Sequence, residues 1–309
     1  MSQTDIQWTD ESLNPIRARH KETGELGWHC EKVGKGCEYC YAEPINLNRF
    51  GTGLPFTRSS RDLVEIFLDE KMLQVPLKRR KPTKFFISST TDICASFVPD
   101  EVLDRIFAVM ALADKHTFQL LTKRPDRLWE YINDVDFPYP NVHLGFSGST
   151  QNDFDKNLGY LLDTPAALRF VSYEPGLEAV DFEKIVPPSL AQRHPYGSVM
   201  EYDVLRGHMK GPDDVGLPKL GWVIIGGESG ADARPFDIRW ARDCVAQCKD
   251  AGVPVFVKQL GTNPVDNGTP IKLKDRKGGE PAEWPADLRV REFPEMTGKY
   301  SINDQKIFH

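Results

Sequence analysis

The sequence has no run of about eighteen apolar residues, the length a helix needs to cross a bilayer, so nothing in it reads as a membrane span. Its first residues, MSQTDIQWTDES, lack the apolar core of a secretory signal. The expectation is a cytoplasmic protein. No His-x-x-x-His pair is present, which speaks against a zinc hydrolase of the helical two-histidine type. There is no second Cys-x-x-Cys pair, no internal repeat of fixed period and no low-complexity tract. Positive charge is outnumbered: 39 Lys and Arg stand against 45 Asp and Glu, a net charge of −6. The molecule as a whole is therefore not a general binder of polyanions. Only local basic runs, Lys78 to Lys84 and Lys272 to Lys277, are placed to meet phosphates.

What remains is an ordinary globular composition, 40% hydrophobic and 27% charged, with a concentration of thiols. Three of the six cysteines, Cys30, Cys37 and Cys40, fall in the stretch HCEKVGKGCEYC. Without export, thiols are free or metal-bound rather than paired in disulfides. Gly34 and Gly36 let this loop bend and aim its sulfurs inward. Tyr39 and Tyr41 bracket the last sulfur and would shield it from water. Three readings are open: an iron–sulfur cluster on three thiolates, a zinc site with His29 or His20 as fourth ligand, and buried thiols acting as small hydrophobes. Clustering in a polar, glycine-rich loop speaks against the last. The missing second Cys-x-x-Cys pair weakens the zinc reading. Three thiolates alone would leave one coordination position open, which is where metal chemistry takes place. Cys94 is expected to pack, as are Cys244 and Cys248, four apart on one helix face.

The 309 residues suffice for one large domain. Short apolar strands are expected at 84–88, 117–121, 142–146, 168–172, 222–225 and 253–257, with helices at 99–114, 125–133, 151–163 and 237–251. Such alternation means a parallel sheet buried on both faces. A doubly wound open sheet and a partial or closed barrel both satisfy it. Ligands in either gather at the carboxyl ends of the strands. Here those ends carry Asp92, Lys123, Ser147, Glu174, Glu228 and Lys258, a regularity that favours a ring of groups facing one site. Elsewhere, residues 6–9 read as β-prone, 17–27 as a solvated surface insertion, 41–50 as a short helix interrupted early by Pro44, and 62–73 as a helix. Residues 1–261 form the expected barrel, 183–220 an insertion serving as lid, partner surface or long loop, and 262–309 an irregular extension packed on the barrel.

The cysteine loop followed by this strand series resembles the radical S-adenosylmethionine superfamily over residues 5–261. Within it, the sequence is most similar to a phage- and prophage-associated branch of unknown function with a Cys-x6-Cys-x2-Cys motif. The matching pieces are IQWTDESLNP, GCEYCYAE, LLTKRPDRL, VSYEPGL, IIGGESGADARP and VPVFVKQLG. Thr91-Asp92 and Thr122-Lys123 echo the order of strand ends in the spore photoproduct lyases of that superfamily. Six residues separate Cys30 from Cys37, where three are commonest in the superfamily. Ser147-Gly148-Ser149-Thr150 stands where the branch usually has Ser-x-Glu-Asn, so one expected carboxylate contact is missing. Residues 17–27 also set Asn14-Pro15 further from the first cysteine than in the branch.

The resemblance implies a partial or closed TIM-like (β/α) barrel with parallel strands, of radical S-adenosylmethionine type. It implies a [4Fe–4S] cluster on Cys30, Cys37 and Cys40, with S-adenosylmethionine on the fourth iron and an external electron donor. One electron would split the sulfonium bond, and the resulting 5′-deoxyadenosyl radical would take a hydrogen atom from a substrate. The residue roles that follow are Thr90, Thr91 and Asp92 for the methionine ammonium, and Ser147 for ribose or carboxylate. Glu174 and Glu228 would take ribose hydroxyls, ammonium or substrate, and Gly226 and Gly227 would give close approach to adenine. Lys123, Arg124 and Arg234 would bind a carboxylate or phosphate. A nucleic acid or nucleotide substrate, and a bacterial or phage-infected host cell, are further expectations. The rival reading is a non-catalytic iron–sulfur or zinc-binding phage protein acting as a binding or regulatory module.

Overall fold

A computed structural model describes residues 4–48, 50–133, 139–187, 201–209 and 218–295. In chain order the strands and helices begin with β1 (Glu11–Leu13), β2 (Ile16–His20), β3 (Leu26–Gly27), α1 (Ala42–Asn48), β4 (Val64–Leu68), α2 (Glu70–Leu73) and α3 (Val75–Lys78). There follow β5 (Lys84–Ile87), α4 (Asp100–Leu112), β6 (Thr117–Thr122), α5 (Pro125–Asn133), β7 (Val142–Gly148), α6 (Gln151–Asp163) and β8 (Leu168–Tyr173). The remainder are β9 (Tyr202–Asp203), β10 (His208–Met209), β11 (Trp222–Gly226), β12 (Phe236–Asp237), α7 (Ile238–Ala251), β13 (Val255–Gln259), β14 (Pro264–Asp266) and β15 (Thr269–Pro270).

Seven strands form one parallel sheet in the order β1-β5-β6-β7-β8-β11-β13. That order never reverses. Right-handed crossovers taken always in one direction put their helices on one face, and the sheet curls into a half-barrel around the other. A doubly wound sheet would need a reversal of order, so the partial TIM-like alternative is the one adopted.

Side chains alternate between the two faces, as the two-residue period of a strand requires. Phe85 and Ile87, Val171 and Tyr173, Val223 and Ile225, and Val255 and Val257 join the core on the helix side. Their neighbours Phe86, Phe170, Trp222, Ile224 and Phe256 form a separate aromatic cluster inside the curl. Gly145 on β7 makes room for it: a Cβ there would lie 2.4 Å from the Phe170 ring.

Local signals set the helix ends. Thr150 caps α6, accepting from the Asp153 amide at 3.1 Å, while the Asp153 carboxylate accepts from the Thr150 amide at 3.1 Å. Gly252, at φ 68°, closes α7 in the left-handed conformation.

Three local expectations are corrected. Residues 6–9 form a turn, not a strand, and the turn drives Trp8 into the curl against Phe86, with ring centroids 4.7 Å apart. The strand in this region is β1, beside β5. Residues 17–27 are not a solvated insertion: β2 pairs with β3 and β4 in a small antiparallel sheet. Residues 62–73 are not one helix. Val64, Ile66 and Leu68 carry a two-residue period as well as a helical one, and the free edge of β2 selects the strand.

In the expected insertion, the described residues include the β9–β10 hairpin and bury Ile185, Tyr202, Val204, Leu205 and Leu220 in the main core. Residues 188–200 and 210–217 lie outside the described residues. Beyond 261, Trp284 and Leu288 also enter that core, while residues 296–309 lie outside the description. No helix among the described residues is long and apolar enough to cross a membrane.

Candidate functional site

The cysteine loop crosses the carboxyl rim of the half-barrel. Its only regular element is a one-turn 3₁₀ helix, Lys35–Cys37. Cys37 is buried and Cys30 and Cys40 are half-buried. Burial, then the charge of Asp92, pushes the Cys30 thiol up to about 12. Burial raises Cys40 as well, with a further push from Cys37. Among the described residues, no three His, Cys, Asp or Glu side chains are gathered as a group able to hold a metal ion. The His29 ring lies 4.9 Å from Phe97 and 6.5 Å from Phe56, with its Nε2 buried and without a partner. Burial, then the Arg61 charge, lowers it to about 4. Tyr39 and Tyr41 keep exposed rings, but the Tyr41 hydroxyl donates inward to the Ser89 carbonyl at 2.6 Å.

Below the loop, the inner-face period of each strand continues past the aromatic cluster into polar residues. Lys123, Ser147, Glu174, Gly226 and Glu228 all fall on that period, and so does Lys258. Lys123 Nζ donates to Ser147 Oγ at 2.8 Å, and Ser147 Oγ donates to the Glu174 carbonyl at 3.2 Å. Lys258 Nζ meets Glu174 Oε1 at 2.5 Å. Gly226 allows this, because a Cβ there would lie 3.0 Å from Glu174 Cδ. Gly227 answers to the chain itself: a Cβ would lie 2.3 Å from the Leu260 carbonyl.

The acidic residues of the rim are held by protein donors. Asp92 accepts from Thr122 Oγ1 at 2.7 Å, from the Lys123 and Cys94 amides at 2.9 and 3.0 Å, and from Arg124 Nη1 at 2.8 Å. Glu228 accepts from the Arg234 amide at 3.0 Å and from its guanidinium at 2.9 and 2.6 Å. That hydrogen bonding raises the Arg234 pKa. Both arginines also hold the cysteine loop. The Arg234 guanidinium, shared among Glu228, Glu38 and the Lys35 carbonyl, does not stand open to an anion in this arrangement.

Other hydroxyls are left over. Ser88, Thr90, Thr91 and Ser149 each bury a side-chain oxygen that has no partner. Ser149 was not among the residues singled out by sequence, although it follows Ser147 by two and shares its face. Gly36 leaves it space, since a Cβ there would lie 2.2 Å from Ser149 Oγ. A cavity of about 480 Å³ opens here between the cysteine loop and helices α5 and α6: Gly36, Cys37, Lys123, Ser147 and Ser149 line one side, Arg127, Glu130 and Asn157 the other, and Cys37 is the one loop cysteine in its wall.

The two basic runs part company. Lys84 opens β5, so Lys78 to Lys84 lies at the amino end of the sheet, opposite the cysteine loop. The run Lys272 to Lys277 stays near the carboxyl rim, where Arg276 offers its carbonyl to Thr262 Oγ1 at 2.8 Å. Cys94 is buried between the rim and the helices, and Cys244 and Cys248 are fully buried in the main core.

The family described as "Protein of unknown function (DUF5131)" matches residues 3–293. No curated protein and no solved structure matches the chain.

Proposed function

Since the chain belongs to DUF5131, a family of unknown function, its activity is read from the site, and we propose that it is an iron–sulfur protein of radical S-adenosylmethionine type. One observation carries the proposal. Three cysteines of a single loop lie over the carboxyl rim of a parallel half-barrel, and one of them, Cys37, lines a cavity together with the unpartnered hydroxyl of Ser149.

The donor set suits a cluster better than a single ion. Tetrahedral zinc would draw its sulfurs to about 3.8 Å from one another and needs a fourth side chain. No such group is assembled among the described residues. A cluster spreads its thiolates over separate irons and accepts three from one short loop. The residues that would hold it are Cys30, Cys37 and Cys40.

When bound, the cluster and S-adenosylmethionine would supply reductive sulfonium cleavage and hydrogen abstraction, with the electron coming from an external donor. The chain's own part is placement and exclusion of water. The ammonium of Lys123, held by Ser147, supplies positive charge facing the cavity. Thr90, Thr91 and Ser149 offer hydrogen bonds to a polar ligand. Asp92 and Glu228 act indirectly, through the arginines and amides they fix. The aromatic floor of Trp8, Phe86, Phe170 and Trp222 closes the barrel below and keeps water out. Free thiols of this kind suit a reducing cytoplasm.

The substrate reading is narrower. Of the two basic runs only Lys272 to Lys277 lies on the site's side, so a nucleic acid substrate rests on that run. Its test is a salt-dependent affinity for DNA, lost on neutralising those lysines. The proposal as a whole is tested by anaerobic reconstitution, followed by iron and sulfide analysis and an assay for 5′-deoxyadenosine. Iron, sulfide and reductant-dependent 5′-deoxyadenosine are expected. A fully loaded cluster that leaves S-adenosylmethionine intact would point instead to a non-catalytic binding module, and zinc without sulfide would overturn both.

A further inference from the structure

The cysteine loop has little structure of its own. Between Trp28 and Cys40 its internal backbone bonds are those of one 3₁₀ turn, Cys37 N to Gly34 O and Glu38 N to Lys35 O. Its position is set by side chains distant in sequence. Arg124, just past β6, donates from Nη2 to the Glu31 carbonyl at 2.9 Å. Arg234, past β11, donates from Nη2 to the Lys35 carbonyl at 2.9 Å and from Nη1 to Glu38 Oε2 at 3.1 Å. Its guanidinium also lies over the Tyr39 ring, 5.1 Å from the centroid. Glu31 follows Cys30, Lys35 precedes Cys37 by two, and Tyr39 precedes Cys40. Each anchor is therefore next to, or one residue removed from, a candidate ligand.

The two guanidiniums are themselves immobilised. Arg124 pairs with Asp92, whose side chain is 9% exposed, and Arg234 with Glu228, 5% exposed. A planar, forked donor can hold a buried carboxylate and a backbone carbonyl together; a lysine cannot reproduce both. Other ties of this segment do not reach across the rim in this way: Trp28 N donates to Asn46 Oδ1 at 2.9 Å, Lys32 meets Glu43 at 2.7 Å and the Glu38 carbonyl at 3.2 Å, and Tyr41 donates to the Ser89 carbonyl.

We propose that Arg124 and Arg234 are positioning residues that clamp the cysteine loop onto the barrel rim from two sides, and that the charge of Arg124 offsets the negative charge of a cluster bound there. The second half rests on the iron–sulfur reading; the first half does not. The clamp presets the loop before any metal arrives, so folding of the barrel and presentation of the sulfurs are one event.

Two measurements separate the halves. The first uses the metal-free protein and a lysine-specific protease, which cuts after Lys32 and Lys35 inside the loop and is blind to arginine. Arg124→Gln leaves Asp92 three of its donors, so the fold survives, and loop cleavage should rise on the order of tenfold while the thermal midpoint moves little. For Arg234, Glu228→Gln/Arg234→Gln removes the buried charge along with its partner and should give the same result. Cleavage at the wild-type rate in both variants overturns the clamp.

The second measurement is the midpoint potential of the reconstituted cluster, followed by electron paramagnetic resonance. Arg124→Gln should shift it to more negative values and Arg124→Lys, which keeps the charge, should restore it, whereas the double variant, which removes one charge of each sign, should leave it in place. A potential unchanged in Arg124→Gln overturns the electrostatic half. Wild-type protein that takes up no cluster defeats the functional reading and, with it, the electrostatic half, while the protease result still decides the clamp.

Discussion

Glu174 reaches Lys258 across an intervening strand. The two belong to the ends of β8 and β13, β11 runs between them, and their charged atoms are 2.5 Å apart. Gly226 at the end of β11 is the gap through which the carboxylate passes. The pair binds three strands into one rim.

Gly226→Ala should therefore displace Glu174 and weaken the pair. The neighbour it meets is a flexible side chain, so the cost should be about 1 kcal/mol. Gly227→Ala meets the Leu260 backbone carbonyl at 2.3 Å and should cost more, about 3 kcal/mol. Urea denaturation of the two variants checks the order; equal costs would show that the rim gives way at both positions.

The cysteines should divide cleanly. Cys30→Ala, Cys37→Ala and Cys40→Ala should each lose the iron taken up on anaerobic reconstitution. Cys244→Ala and Cys248→Ala should keep it and lose about 1–2 kcal/mol of stability as small buried hydrophobes. Iron and sulfide analysis, with visible absorbance, is the measurement. Retention of iron by all three loop variants would remove the cluster from this loop.

Trp8 should be a stability residue. It is 2% exposed and fills the curl against Phe86, Phe170 and Trp222. Trp8→Ala should cost about 3–5 kcal/mol, readable as a lower thermal midpoint. A neutral result would mean that the aromatic floor closes without it.

His143, on β7, supplies a pH test away from the cysteines. Burial lowers its pKa to about 4, against about 6.5 in an unfolded chain. Between those values the unfolded state binds the extra proton, so stability falls as pH drops. The contribution is complete above about 6.5, declines below it, and is lost by about 4, a total of about 3 kcal/mol. Denaturation midpoints across that window should fall less steeply in His143→Gln. Parallel slopes in the two proteins would show that His143 does not carry the effect.

Much of the site was legible because a strand has a two-residue period. Once the apolar runs were placed, Lys123, Ser147, Glu174, Glu228 and Lys258 followed as the polar groups at the strand ends, and the two-residue count adds Ser149 to the face of Ser147. Period alone does not say what a side chain meets. Asp92 and Glu228 read as open carboxylates, and Arg124 and Arg234 as open cations; folded, they are each other's partners, two of them across the rim. Gly227 read as space for a ligand, and the chain's own Leu260 carbonyl takes that space.

The sequence by itself determined the alternation of strands and helices, the end of the sheet at which polar and charged side chains collect, and the loop that holds the thiols. Those are local matters of periodicity, turn residues and spacing. Only the tertiary structure decided that the sheet curls without reversing, that Trp8 turns inward, that residues 64–68 choose a strand, and that two arginines 110 positions apart in numbering hold one loop. Each of these depends on which surfaces meet after folding. Burial makes every unpaired charge or donor costly, so partners are chosen by nearness in space, which linear order does not contain.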